Sequence, residues 1–253
     1  MTLHHEIDGP PDAPVLLLGG SLGTTLDMWD RQRPLAEQLR LVRFDHRGHG
    51  GSPVPDPPYD IADLGCDVLA LMDDLEIERA AYCGLSIGGM AGMWLAANAP
   101  ERVDRLVLIC TAAHMPPASA WRERAHAVLE AGSTEPIADA VVDRWVTPPF
   151  AAREPDTRAW LRAMLVGTNP RGYAACCGAI ERMDLRPELP RIGAPTLVIS
   201  GGDDEAAPVE RQRAVAEAIA GARHVVVAAA AHLAAVEQPE AINRLIEAHV
   251  LGG

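Results

Sequence analysis

Residues 80–90 have the sequence AAYCGLSIGGM, in which a short apolar run leads into Gly-Leu-Ser-Ile-Gly and then into an apolar segment of helical character at residues 90–98. A Gly-x-Ser-x-Gly pattern between a strand and a helix is typical of a sharp turn that exposes a serine hydroxyl above a sheet. The two glycines leave room for the turn and for close packing of the helix. The pattern therefore predicts a strand, a strained turn and a helix, with Ser86 as a candidate nucleophile.

The flanking sequence repeats this alternation of strand and helix. Apolar runs suited to a parallel sheet covered on both faces occur at residues 15–18, 41–44, 106–110, 196–199 and 225–227. Apolar residues recur every three or four positions from Ile61 to Leu75, directly after Asp60, which is a good helix N-cap. We therefore predict an α/β fold with a mostly parallel sheet flanked by helices.

The alternation stops between residues 114 and 190. No strand signal occurs there, and helical segments are expected at residues 120–130, 137–146, 156–166 and 171–183, separated by prolines. Because strand signals resume at Thr196, this segment is predicted to be a helical cap inserted into a core made of residues 1–113 and 191–253. Such a cap is expected to cover the carboxyl edge of the sheet, where α/β proteins bind ligands.

A serine nucleophile needs a histidine base and an acid that orients the base, and candidates follow the last two predicted strands. Asp204 follows the strand that starts at Thr196, and His232 follows the strand at residues 225–227. Asp203 is the alternative acid. Among the other histidines, His114 begins the cap and could reach a ligand, whereas the remaining ones lie in the N-terminal segment, in a glycine-rich loop, on helices or at a strand start.

A serine hydrolase also needs hydrogen-bond donors for the tetrahedral oxyanion. The backbone N–H of Ile87, at the start of the helix after Ser86, is one expected donor, because the helix dipole favours negative charge there. The glycine-rich loop at residues 19–23 is expected to supply the second donor from Leu22.

Composition excludes several other functions. The chain has 22 basic and 35 acidic residues, a net charge of −13 that argues against nucleic-acid and anionic-membrane partners. All the basic residues are arginines, so Schiff-base and phosphate-loop lysine chemistry are excluded. The five cysteines are never spaced Cys-x-x-Cys, so neither a disulfide framework nor a zinc knuckle is expected. Without a signal peptide or an apolar stretch of about 20 residues, a cytoplasmic location is expected.

With these features in place, the chain resembles the α/β-hydrolase superfamily and, more narrowly, the 3-oxoadipate enol-lactonases. The resemblance is densest at residues 21–30, 43–53, 83–113, 143–150, 169–186 and 230–239, and the cap sequences DRWVTPPF and NPRGYAACC narrow it. It implies a triad of Ser86, Asp204 and His232 that opens the ring of 3-oxoadipate enol-lactone through an acyl-enzyme, with no metal or cofactor. The resemblance does not extend to the two residues before Leu22, the expected donor in the loop at residues 19–23. This chain has Gly20-Ser21 there, where relatives have His-Gly or Asn-Ser.

Because this substrate is a small anion, an arginine between the cap and the core is expected to bind its carboxylate. Arg144 is the first candidate, with Trp145 beside it as a pocket wall, and Arg47 and Trp29 are further candidates for substrate contact. Three alternatives share the same triad: a carboxylesterase, a cofactor-free perhydrolase and a non-catalytic small-ligand receptor. Neither of the first two would need an arginine for a carboxylate. The oligomeric state is left open.

Overall fold

A seven-stranded sheet forms the centre of the protein in the computed structural model, which describes residues 1–252. The strands lie in the order β1-β3-β2-β4-β5-β6-β7; β1 is antiparallel to β3, and all other neighbours are parallel. This confirms the predicted α/β class. The strands are β1 (His5–Asp8), β2 (Val15–Gly19), β3 (Arg40–Phe44), β4 (Ala80–Leu85), β5 (Val103–Ile109), β6 (Thr196–Gly201) and β7 (Arg223–Val227).

Helices flank this sheet. All six residues of β4 are buried, as expected for a central strand covered on both faces. The helix after Asp60 buries Ile61, Leu64, Val68 and Leu71 on one face, and the Asp60 N–H donates to the Asp63 carboxylate at 2.8 Å. The core helices are α1 (Ile61–Asp74), α2 (Ile87–Asn98), α8 (Val209–Ala218), α9 (Ala234–Glu237) and α10 (Pro239–Leu251), with 3-10 helices at Leu26–Glu37, Pro100–Arg102 and Leu189–Arg191.

Within residues 1–252, no helix has the length and apolar character that crossing a membrane requires.

The first strand was not predicted, because only one of its four residues is apolar. Electrostatic contacts hold it in place instead. Arg43 on β3 is fully buried and donates to Glu6 at 2.6 Å, to Asp8 at 3.0 Å and to Asp30 at 3.0 Å. A buried arginine needs such partners, since an unpaired buried charge is costly. The N-terminal segment is therefore an edge strand of the sheet.

Five helices and a 3-10 turn, and no strand, lie between β5 and the 3-10 helix Leu189–Arg191. One of these helices, Pro148–Arg153 (α5), was not predicted, because its two prolines suggested a break between helices. Proline is nevertheless well tolerated in the first turn of a helix. The two ends of this segment meet where the Leu185 N–H donates to the Ala113 carbonyl at 2.8 Å. The elements are α3 (Ala118–Ala131), the 3-10 turn Glu135–Ile137, α4 (Ala138–Trp145), α5 (Pro148–Arg153), α6 (Pro155–Val166) and α7 (Pro170–Arg182). The division into a core and a cap at residues 114 and 190 stays a prediction.

The start of α2 lies directly against the end of β2. A methyl group added at Gly88 would lie 2.2 Å from the Gly19 carbonyl oxygen, which belongs to the backbone and cannot rotate away. The Gly88 N–H also donates to the Gly20 carbonyl at 3.1 Å. Position 88 therefore needs a glycine for close approach.

We predict that Gly88→Ala destabilises the fold, because α2 must move away from β2 to admit the new methyl group. Overpacking of this kind costs about 1–3 kcal/mol, which corresponds to a fall of several degrees in unfolding temperature for a chain of this size. Differential scanning calorimetry measures the shift. Gly193→Ala is the matched control, because no atom lies within 4 Å of a methyl group there; an equal shift in both variants would contradict the steric explanation.

Candidate active site

Ser86 occupies the turn between β4 and α2. Its backbone has φ +57° and ψ −116°, a conformation that costs a residue with a side chain about 1–3 kcal/mol. Two hydrogen bonds fix the turn: the Ser86 N–H donates to the Ile109 carbonyl at 3.0 Å, and the Thr111 hydroxyl donates to the Ser86 carbonyl at 2.7 Å. The strained turn places Ser86 at the carboxyl edge of the sheet.

Asp204 and His232 meet at the same edge, after β6 and β7. Nδ1 of His232 lies 3.1 Å from each carboxylate oxygen of Asp204, and both residues are buried. Because a carboxylate accepts but does not donate, the His232 ring donates from Nδ1 and keeps Nε2 free to accept a proton. The contact thus orients the imidazole as a base.

The loop after β6 distinguishes the two candidate acids. The Asp204 carboxylate accepts hydrogen bonds from the N–H groups of Ala206 at 2.9 Å and Ala207 at 3.0 Å, which fix its orientation. Asp203 is exposed and does not contact His232. The structure therefore brings Asp204, and not Asp203, to the histidine.

Ser86 and His232 line one cavity of about 220 Å³, whose wall also includes residues from the helices between β5 and β6. His114 is not part of its wall; it forms an isolated β-bridge with Asp184. The remaining wall includes aromatic, apolar and cationic side chains, among them Leu22, Trp121, Arg124, Arg144, Trp145, Tyr173 and Arg211. The cavity therefore combines a nucleophile and a base with several guanidinium groups.

Of the two expected oxyanion donors, Leu22 lines this cavity, and Ile87 directly follows Ser86, which also lines it. Ile87 is the first residue of α2, so its N–H has no earlier carbonyl of the helix to bond. Leu22 lies in the cavity wall, in the loop after β2. Loop and helix are held together by the bond between Gly88 and Gly20 described above. The backbone around Ser86 is thus suited to receive a negative oxygen.

Two buried histidines support the loop that carries Leu22. The Gly23 N–H donates to Nε2 of His49 at 2.9 Å, so His49 carries its proton on Nδ1, 3.1 Å from the Arg47 carbonyl. Nε2 of His46 contacts the Gly20 carbonyl at 3.2 Å. Burial lowers the pKa of His49 and lowers that of His46 to about 3, so both stay neutral near pH 7. The two imidazoles therefore give the loop after β2 side-chain support.

The sequence predicted no role for either histidine, although both lie in the glycine-rich loop HRGHG at residues 46–50. Their contribution is visible only in three dimensions, because 26 positions separate each histidine from its partner in the loop.

Two residues expected to contact substrate lie elsewhere, which corrects those expectations. Arg47 donates to both carboxylate oxygens of Asp67, at 2.6 and 2.8 Å, and lies over the ring of Tyr59 at 5.2 Å. This ion pair anchors the loop that carries Arg47 to α1. Trp29 is fully buried in the hydrophobic core and does not line the cavity.

Arg144 and Trp145 do line the cavity, as expected. Arg124 is a second guanidinium beside Arg144 that the sequence did not indicate; it stacks on Trp121, 4.7 Å from the ring centre. Burial and the nearby charge of Arg124 lower the pKa of Arg144, which still stays charged near neutral pH. Within residues 1–252, neither arginine forms a salt bridge with a carboxylate. The pair is therefore able to receive an external anion.

No group of three or more His, Cys, Asp or Glu side chains suited to holding a metal ion occurs among the residues that the structure describes. All five cysteines are free thiols; Cys66 is exposed, and the other four are buried.

We predict that His49→Leu slows turnover of a neutral aryl ester by about tenfold or more, because the Gly23 N–H loses its acceptor and the loop carrying Leu22 loosens. Complete loss of one oxyanion donor costs about 10² to 10³ in rate. Steady-state kinetics of the folded variant provide the measurement. The matched control is His126→Leu, on an exposed face of α3; a His49→Leu variant as active as this control would contradict the assigned role.

Comparison with known proteins identifies the family. The alpha/beta hydrolase fold family matches residues 13–239. The chain is 40% identical to 3-oxoadipate enol-lactonase 2 of Acinetobacter baylyi over 249 residues, which is 98% of this chain and 92% of that protein.

Two solved structures are similar to the chain over nearly its whole length. The enol-lactonase from Burkholderia xenovorans is 43% identical with a TM-score of 0.96, covering 98% of this chain and 96% of that one. A thermophilic esterase from Thermogutta terrifontis is 30% identical with a TM-score of 0.90, covering 97% and 91%. We conclude from the sheet, the strained turn at Ser86 and these matches that the chain belongs to the alpha/beta hydrolase fold family.

Proposed function

We propose that the protein is a serine hydrolase that opens the lactone ring of 3-oxoadipate enol-lactone. The observation that carries this proposal is the single cavity shared by Ser86, His232 and the neighbouring Arg124 and Arg144, which form no salt bridge with a carboxylate of residues 1–252. Similarity to two enol-lactonases at 40% and 43% identity supports the choice of substrate.

In the proposed first step, Nε2 of His232 takes the proton of the Ser86 hydroxyl while Oγ attacks the lactone carbonyl carbon. The oxyanion that forms is stabilised by the N–H groups of Ile87 and Leu22. Asp204 holds the imidazole and stabilises its charged form through the contacts at 3.1 Å.

Collapse of this intermediate breaks the ring carbon–oxygen bond. The ring oxygen leaves as an enolate, which takes the proton from His232 and then rearranges to the ketone. An enolate is a better leaving group than an alkoxide, and the rearrangement makes ring opening effectively irreversible. Water, deprotonated by His232, then cleaves the acyl-enzyme and releases the dicarboxylate product.

The substrate carboxylate is proposed to bind Arg144, with Arg124 as its partner. In a chain of net charge −13, most approaching anions are repelled, so a local cluster of guanidinium groups is needed. Trp145 and Tyr173 would enclose the apolar part of the ring, because both line the same cavity.

We predict that Ser86→Ala lowers turnover of the enol-lactone by about 10⁴ to 10⁶, because the nucleophile is lost while the backbone turn can persist. Following lactone absorbance with purified protein gives the rate, and circular dichroism verifies the fold. Retention of most activity would remove Ser86 from the mechanism.

A second prediction concerns the anion. Arg144→Ala should reduce kcat/KM for the anionic lactone by about 10- to 100-fold, the effect of a lost hydrogen bond to a charged group, with little change for p-nitrophenyl acetate. Arg213→Ala, an exposed arginine outside the cavity, is the control. Equal losses on both substrates would argue against Arg144 as the anion site and favour a carboxylesterase. Absence of turnover on every ester and lactone would favour a receptor.

A further inference from the structure

Glu237 is a buried carboxylate, 5% exposed, at the end of α9. In the part of the chain that the structure describes, it has no basic side chain as a salt-bridge partner. Three donors surround it instead. Oε1 accepts from the Thr147 N–H at 2.9 Å and from the Thr147 hydroxyl at 2.7 Å, and Oε2 accepts from the Ala231 N–H at 2.5 Å. Such a carboxylate is stabilised by its hydrogen bonds alone.

These bonds join two segments that both reach the active-site cavity. Ala231 immediately precedes His232, and Thr147 follows Trp145 in the cap segment. The residue after His232 is held by the same cap segment, because the Leu233 N–H donates to the Trp145 carbonyl at 2.7 Å. The backbone on both sides of His232 is therefore fixed by residues 145–147, on one side through Glu237.

We propose that Glu237 is a positioning residue that holds His232 in register with Ser86 by joining the histidine loop to residues 145–147. This inference rests on the proposed serine hydrolase function. Nothing in the Asp204 contact alone fixes where the imidazole stands, because that contact orients the ring without anchoring the backbone that carries it. The anchoring comes from the Ala231 and Leu233 N–H groups.

The geometry requires a carboxylate rather than an amide. A carboxylate presents acceptors to both segments at once, whereas a glutamine side chain has one oxygen and one NH₂ group. In Glu237→Gln, the NH₂ group must face a backbone N–H, either that of Ala231 or that of Thr147. One of the two segments then loses its backbone N–H bond to residue 237, and the histidine loop can shift. A displacement near 1 Å of a catalytic group can cost about 10²-fold in rate.

The test compares Glu237→Gln with wild type on the enol-lactone and on p-nitrophenyl acetate. We expect kcat to fall about 10- to 100-fold on both substrates, with KM for the lactone changed by less than about threefold, because the arginines are untouched. Inactivation by diisopropyl fluorophosphate should slow to the same extent. In that reaction Ser86 Oγ bonds to phosphorus, fluoride leaves and His232 takes the proton, so the rate reports the base without any carboxylate site. Intact mass spectrometry follows the adduct.

Glu240→Gln is the matched control, since it makes the same chemical change at an exposed position three residues away. Its kinetics should equal those of wild type. A folded Glu237→Gln variant with wild-type kcat and inactivation rate would overturn the proposal. So would a loss of kcat on the lactone alone, because a displaced base must affect every ester.

Thr147→Val and Thr147→Ser provide a second pair that keeps the test decisive if Glu237→Gln does not fold. Thr147→Val removes one donor to Oε1 and should lower kcat by a smaller factor, whereas Thr147→Ser keeps that hydroxyl and should restore it. Equal kcat in the two variants would contradict the proposal. Ser86→Ala is included in the same series: if it stays active, the proposed function fails, whereas wild-type rates in Glu237→Gln with an inactive Ser86→Ala reject only the positioning role.

Discussion

The contact between the start of α2 and the end of β2 is the constraint on which the site depends. The Gly88 backbone bonds to the Gly20 carbonyl at 3.1 Å, and the Tyr82 hydroxyl donates to the Gly88 carbonyl at 2.9 Å. This contact fixes two loops relative to each other, one carrying Ser86 and the other carrying Leu22. Because no side chain separates the two backbones, the distance between nucleophile and oxyanion donors is set by the main chain.

Much of this arrangement could be predicted from the sequence. The strand alternation and the turn around Ser86 are local patterns, and the positions of Asp204 and His232 follow from the rule that parallel strands end at a common edge. Of the seven strands, only the edge strand β1 was missed. Its position depends on the buried Arg43 and three carboxylates distant in sequence, which no apolar pattern reports.

The predictions that failed concern side chains with several possible partners. Arg47 lies in the same glycine-rich loop as His46 and His49, yet Asp67 on α1 binds it with two hydrogen bonds. His49 looked like an ordinary loop residue, and its role appears only because the Gly23 N–H lies 2.9 Å away. Local sequence restricts which groups can pair, whereas tertiary packing decides which pairs form.

The cations around the cavity are all arginines, and this has a consequence for how the site responds to acidity. A guanidinium keeps its proton through the whole range in which proteins stay folded, and burial raises the pKa of the Tyr173 phenol in the same wall. The guanidinium groups that would hold a carboxylate thus keep a constant positive charge at every working pH. A change with pH in how tightly the cavity holds an anion would therefore come from other groups, such as the Glu205 carboxyl in the same wall or the anion itself.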